Sequence, residues 1–74
     1  EVVPTAITVF NNMLIYGGDY GDIIVYDVEK LKLLHILEGH ASEVSSIYID
    51  DKHLISGYMD GTIKFWDMKT WDTI

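Results

Sequence analysis

Short apolar runs separated by turn-forming residues recur along the whole chain. Runs rich in β-branched and aromatic residues predict strands, and clusters of Asn, Asp and Gly between them predict turns. The predicted strands are Thr5–Phe10, Met13–Gly17, Ile23–Asp27, Lys32–Leu37, Val44–Ile49, His53–Gly57 and Thr62–Asp67, with a further strand starting at Trp71. Residues 28–38 also have a helical pattern, but the short length and the place in the series favour a strand.

The pattern repeats with an offset of 40 residues, which aligns Leu14–Asp27 with Leu54–Asp67. The identical pairs are Ile7/Ile47, Leu14/Leu54, Ile15/Ile55, Gly17/Gly57, Gly21/Gly61, Ile23/Ile63 and Asp27/Asp67. Runs such as DIIVYDV are apolar at consecutive positions, which indicates that both faces of the sheet are covered. A repeated four-stranded unit of about 40 residues with two apolar faces is typical of a propeller blade.

We therefore predict an all-β fold of antiparallel four-stranded propeller blades. The first blade, which is degenerate, spans residues 1–38, and the second spans residues 39–74 with a truncated outer strand. A closed ring needs roughly 4 to 8 blades, so the chain is expected to be a two-blade section of a larger β-propeller. Other blades of the same propeller, or further chains, would cover the two apolar faces left at the ends. The alternative is a self-assembling structural module in which several copies close a propeller.

Several residues of the second unit stand in a characteristic order: Gly39-His40, Val44, Ile47, the run LISG, Asp60-Gly61, Ile63 and Trp66-Asp67. Together they resemble the WD-repeat β-propeller family, and the first unit does so more weakly. The resemblance implies a hydrogen-bonded structural tetrad of His40, Ser56, Asp60 and Trp66. The residue types suit it, because an indole N–H only donates, a serine hydroxyl can accept and donate, and the two imidazole nitrogens can link Ser56 to Asp60.

The same set contains the residue types of a hydrolytic Ser-His-Asp triad. It lacks an oxyanion hole and its serine lies within a predicted strand, so we expect a structural role, no catalytic residue and no enzyme activity. In the first unit Tyr16, Tyr20 and Tyr26 replace the serine, the aspartate and the tryptophan. No tetrad is expected there.

Charge and composition narrow the possible partners. Twelve acidic residues against 5 basic ones give a formal net charge of −7, which disfavours nucleic acid and anionic membranes and favours basic protein surfaces. The alternative is that the excess acid only keeps the chain soluble. The chain has no cysteine, and its three histidines lack metal-ligand spacing, so no metal or cofactor is expected. No membrane span or signal peptide is recognisable, and with the family resemblance this predicts an intracellular protein, cytoplasmic or nuclear, and not a secreted one.

The resemblance further implies a non-catalytic scaffold that binds peptides or subunits of a multiprotein complex at the rim of the ring. The positions that match the family's contact sites are Val3, Thr5, Asp19, Tyr20, Ala41, Glu43, Ser45, Tyr58 and Met59. Tyr20, Tyr58 and Met59 are the most attractive, because exposed aromatic or flexible apolar side chains make good anchors. The alternatives are that these three pack against neighbouring blades, and that Glu43 is simply a solvated acid.

Overall fold

Antiparallel strands form two sheets in the computed structural model, which describes residues 3–38 and 42–74. The first sheet contains β1 (Pro4–Phe10), β2 (Met13–Gly18), β3 (Ile23–Asp27) and β4 (Lys32–Leu37), in that order. The second contains β5 (Val44–Ile49), β6 (His53–Tyr58) and β7 (Ile63–Asp67). The predicted all-β class is confirmed, and the predicted strand ends differ by at most one residue. The ambiguous segment 32–37 is a strand.

Equivalent turns in the two sheets share the same backbone geometry. Gly21 and Gly61 have φ values of 91° and 92°, in the left-handed region that glycine adopts without strain. Leu31 and Trp71, which also correspond across the repeat, have φ values of 55° and 63°. The repeat detected in the sequence is therefore also a repeat of backbone conformation, and it extends beyond the last strand.

The further strand predicted from Trp71 appears as a single bridge. Trp66 pairs with Thr73 in this bridge, and the equivalent pair in the first sheet is Tyr26 with Leu33. The terminal segment thus takes the place that β4 occupies in the first sheet, with less pairing.

The core lies between the two sheets. Its buried side chains are Ile15, Ile23, Val25 and Leu37 from the first sheet and Val44, Leu54, Tyr58 and Trp66 from the second. Fully burying one aliphatic or aromatic side chain contributes about 1.5–3 kcal/mol. Packing between the sheets therefore supplies much of the stability of so short a chain.

The sheets approach each other closely at Gly17 in β2. A Cβ atom there would lie 2.6 Å from the Cβ and Cγ1 atoms of Val44 in β5, so only glycine leaves room for the valine. Beside this contact, the hydroxyl of Thr5 in β1 lies 2.6 Å from the carbonyl oxygen of Val44 and 3.2 Å from that of Gly17. This hydroxyl donates across the interface, so the sheets are fixed by one apolar and one polar contact at the same place.

Each sheet leaves its other face exposed. We call these the first outer face and the second outer face. The first outer face carries the exposed residues Ile7, Val9, Leu33 and Ile36, and the second carries Tyr48, Ile63 and Phe65. Cross-strand pairing joins them into rows, for example Tyr48 to Ile55 to Phe65 on the second. As predicted for two stacked blades, one apolar face remains at each end.

Candidate functional site

A hydrogen bond between two buried side chains links β6 to β7. The indole Nε1 of Trp66 donates to the hydroxyl oxygen of Ser56 at 3.0 Å. Ser56 is fully buried and Trp66 is 4% exposed. The two side chains lie on the same face of the sheet, because Trp66 pairs with Leu54, two residues before the serine. The structure thus brings together two members of the predicted tetrad.

Tyr58 takes part in the same network, which the sequence did not predict. The Ser56 hydroxyl, having accepted from the indole, donates to the phenolic oxygen of Tyr58 at 3.0 Å. Burial raises the pKa of this phenol. The hydrogen bond from Ser56 lowers it, and the nearby Asp22 and Asp60 carboxylates raise it further. The phenol therefore stays protonated at neutral pH. The signal that could have indicated this is the spacing, since Ser56 and Tyr58 are two residues apart and share one face of a strand.

The expectation that Tyr58 presents an exposed ring to partners is wrong. The side chain is 4% exposed and the residue ends β6 instead of lying in the following loop. Its ring completes the apolar cluster between the sheets, and the alternative of packing against a neighbouring blade is the one observed.

Asp60 lies at the surface, in the turn before Gly61. Its Oδ1 accepts hydrogen bonds from the backbone N–H of Thr62 at 3.0 Å and from the Thr62 hydroxyl at 2.7 Å. This arrangement stabilises the tight turn that the sequence predicted here. His40 lies outside the described residues, so its bonds to Ser56 and Asp60, and the complete tetrad, stay a prediction.

The two ends of the strands differ in charge. One end contains the β2–β3 turn, the β6–β7 turn, the residue after β4 and the residues just before β5. We call this end the acidic edge. Its described charged residues are all acids, namely Asp19, Asp22, Glu38, Glu43 and Asp60. At the opposite end, which we call the mixed edge, acids alternate with Lys30, Lys32, Lys52 and Lys69.

Two exposed apolar side chains stand among these acids. Tyr20 is 74% exposed and Met59 is 66% exposed. The backbone N–H of Met59 donates to the carbonyl of Glu43 at 2.9 Å, which holds the β6–β7 turn beside the start of β5. The acidic edge thus combines uniform negative charge with two accessible anchors.

The other predicted contact positions have different surroundings. Val3, Glu43 and Ser45 are exposed and Asp19 is half-buried. Thr5 is also half-buried and donates to Val44, so its hydroxyl is engaged inside the protein. Ala41 lies outside the described residues.

The described residues contain no group of three His, Cys, Asp or Glu side chains that could hold a metal ion. None of them forms a helix long and apolar enough to cross a membrane.

Comparison with known proteins identifies the repeat. The model of the WD domain, G-beta repeat, matches residues 31–67, from the turn before β4 to the end of β7. The chain belongs to the WD-repeat family. This confirms the resemblance read from Gly39-His40 and Trp66-Asp67, and the fold of the WD-repeat chain is that of β-propeller blades. The blade limits 1–38 and 39–74 stay a prediction.

Relatives of the WD-repeat chain are much longer proteins. It is 35% identical over 69 residues to Shk1 kinase-binding protein 15 of Schizosaccharomyces pombe, which covers 93% of the chain and 20% of that protein. It is 38% identical over 60 residues to cell division control protein 4 of Saccharomyces cerevisiae, covering 78% of the chain and 8% of that protein. The chain therefore spans a fifth or less of the length of these relatives.

Among solved structures, the chain superposes on the computationally designed Ika4 protein with a TM-score of 0.89 at 33% identity. The superposition covers 99% of this chain and 46% of the Ika4 chain. WD-repeat domains generally act as non-catalytic scaffolds for other proteins.

Proposed function

We propose that the WD-repeat chain holds basic peptides, or basic segments of subunits in a multiprotein complex, at its acidic edge, without catalysing a reaction. The observation that carries the proposal is the unequal charge of the two edges. Five acids and no lysine stand among the described residues of the acidic edge, whereas four of the chain's 5 lysines lie at the mixed edge. Such a field attracts Lys- and Arg-rich segments to one end of the strands.

The exposed side chains of Tyr20 and Met59 supply the apolar part of the contact. Aromatic rings and flexible thioethers bury large areas against a partner and are common anchors in interfaces. Glu43 lies beside Met59 and offers a carboxylate for a lysine or arginine of the partner. The proposed contact residues are therefore Tyr20, Glu43 and Met59, with Asp19 and Ser45 at their margin.

Membership of the WD-repeat family supports three further inferences. We infer that the blades belong to a larger propeller, that His40 completes the tetrad with Ser56, Asp60 and Trp66, and that the protein acts inside the cell. The hydrogen bond from Trp66 to Ser56 supports the tetrad. Because the Ser56 hydroxyl donates its proton to Tyr58, His40 would donate to the second lone pair of the serine oxygen.

The binding proposal is tested with a fluorescently labelled peptide of alternating Lys, Arg and Ala residues. Glu43→Lys should weaken its binding at least about threefold, because the reversal places like charges in the contact. Fluorescence anisotropy measures the affinity, and rising salt should weaken binding to the unmodified chain.

Glu29→Lys is the matched control, since Glu29 is an exposed acid at the mixed edge. It makes the same change in net charge and should leave the affinity within about twofold of the original. Equal losses for both variants would show that the peptide responds to net charge alone, and the proposed site would be wrong.

A further inference from the structure

The second outer face repeats the pattern of the face that the first sheet buries. Across the 40-residue offset, Ile15, Gly17, Ile23 and Val25 correspond to Ile55, Gly57, Ile63 and Phe65. The first set packs against the second sheet, whereas Ile63 is 63% exposed and Phe65 is 48% exposed. One sheet therefore leaves open the same surface that the other sheet has covered.

The first outer face stands in the same relation to the buried face of the second sheet. Val44, Ile47, Leu54 and Trp66 correspond to Pro4, Ile7, Leu14 and Tyr26. Ile7 is 64% exposed, although its counterpart Ile47 packs against the core. The two outer faces are thus copies, in pattern, of the two faces that already fit each other inside the chain.

The contact between the sheets consists of a glycine that makes room for Val44 and a hydroxyl that donates to the Val44 carbonyl, and both have counterparts on these faces. Gly57 stands at the position of Gly17. The Ser46 hydroxyl of its own sheet would lie 2.7 Å from a Cβ added at Gly57, so this side chain turns away when a neighbour seats there. Pro4, which is exposed and compact, stands at the position of Val44. Ser45, also exposed, carries a hydroxyl at the position of Thr5.

Apart from the pair of His53 with Asp67 at the mixed edge of the second outer face, the described cross-strand rows of the outer faces carry no charge. The rows of the first are Ile7, Tyr16, Ile24 and Ile36, and Val9, Leu14, Tyr26 and Leu33. Those of the second are Tyr48, Ile55 and Phe65, and Ser46, Gly57 and Ile63. Covering these four rows removes no charged group from water, so little of the desolvation cost that opposes many interfaces arises there.

We propose that a second copy of this chain docks head to tail, with its first outer face on the second outer face of its neighbour. Pro4 of one copy seats at Gly57 of the next, as Val44 seats at Gly17, and the Ser45 hydroxyl donates to the Pro4 carbonyl. The contact is heterologous, so each copy keeps one face free for another until the ring closes. Rings of roughly 4 to 8 blades correspond to about two to four copies.

Analytical ultracentrifugation of the unmodified chain tests the assembly. We expect one discrete species with about two to four times the mass of a single chain. A folded single chain at micromolar concentration overturns the proposal and leaves the outer faces to blades of different sequence. Disordered or polydisperse aggregated material overturns it as well.

Two variants test the direction of docking. Ile7→Asp places a charge on the first outer face and Phe65→Asp places one on the second, so each variant alone should sediment as a single chain. When the two are mixed, the intact first outer face of Phe65→Asp meets the intact second outer face of Ile7→Asp. The mixture should therefore form a complex of one copy of each variant.

Leu31→Asp is the control, because Leu31 is 73% exposed in a turn outside both faces and its positive φ suits aspartate. It should assemble as the unmodified chain does. Circular dichroism reports whether each variant keeps its strands, and Ile7→Ser with Phe65→Ser replaces the pair if an aspartate variant unfolds. Oligomers of Ile7→Asp alone, or no complex in the mixture, would show that docking is not head to tail.

Discussion

The hydroxyl of Ser56 connects the indole of Trp66 to the phenol of Tyr58, and all three side chains are buried. A buried hydroxyl without a partner costs about 1–3 kcal/mol, so its two bonds remove a penalty as much as they add stability. The serine accepts from Trp66 and donates to Tyr58. These two bonds use the proton and one lone pair of the serine hydroxyl. The pairing of Ser56 with Trp66 in the WD-repeat pattern is therefore explained by hydrogen-bond chemistry.

Replacing Trp66 by phenylalanine tests this network. The ring keeps its apolar burial, but the Ser56 hydroxyl loses its donor, and we expect the free energy of unfolding to fall by about 1–3 kcal/mol. Urea denaturation followed by circular dichroism measures the loss.

Trp71→Phe is the matched control. Trp71 stacks on His35 with ring centroids 4.6 Å apart, and its indole N–H donates to no group in the described part of the chain. Its replacement keeps an aromatic ring at the same position, so the loss should be smaller than for Trp66. A loss below about 0.5 kcal/mol for Trp66→Phe would mean that the buried bond does not stabilise the sheet.

At the level of elements, aspartates organise the turns of the mixed edge. Asp27 Oδ1 accepts from the backbone N–H of Glu29 at 2.9 Å and of Lys30 at 3.0 Å. Asp67, its counterpart across the repeat, accepts from Lys69 at 2.7 Å and Thr70 at 3.2 Å. The Asp of the Trp-Asp pair thus holds the turn that follows β7.

These bonds make the stability of the turns dependent on pH. The backbone N–H groups of Lys52 and His53 lower the pKa of Asp50 below 3.8, and those of Lys69 and Thr70 lower the pKa of Asp67 in the same way. Because the folded-state pKa lies below the unfolded one, each contribution is complete above pH 3.8. It is lost as the pH falls through the folded-state pKa.

The variant Asp50→Asn with Asp67→Asn should flatten this dependence, since asparagine keeps an acceptor oxygen and does not titrate. Urea midpoints measured from neutral pH to below pH 3.8 should fall less for the double variant than for the unmodified chain. Asp51→Asn is the control, because that carboxylate accepts no hydrogen bond among the described residues, and it should keep the original slope. Identical slopes for all three proteins would contradict the assignment.

The strands and turns could be predicted from the sequence because their signals are local. Apolar runs mark the strands, and Asn11–Asn12 and Gly21 mark turns whose φ values are positive. The burial of Tyr58 was not predictable. Its spacing from Ser56 indicates that the two share one face of the strand, but the local pattern is the same whether that face meets solvent or a neighbouring sheet. Its burial depends on where the first sheet lies, which is information from the whole fold.

At the level of the whole molecule, the two blades act as one unit because their sheets fit closely at Gly17 and Val44. Val44 fills the space that Gly17 leaves, and Thr5 donates across the same place. This contact helps to set which face of each sheet is buried and which face remains outside.

Nuclear Overhauser contacts between the Gly17 Hα protons and the Val44 methyl groups test that arrangement in solution. In an isotopically labelled chain, we expect strong cross-peaks between these protons, because only van der Waals distances separate the two residues across the sheets. Val44 methyl groups that show contacts only within β5 and β6, with no cross-peak to Gly17, would contradict the stacking of the two blades.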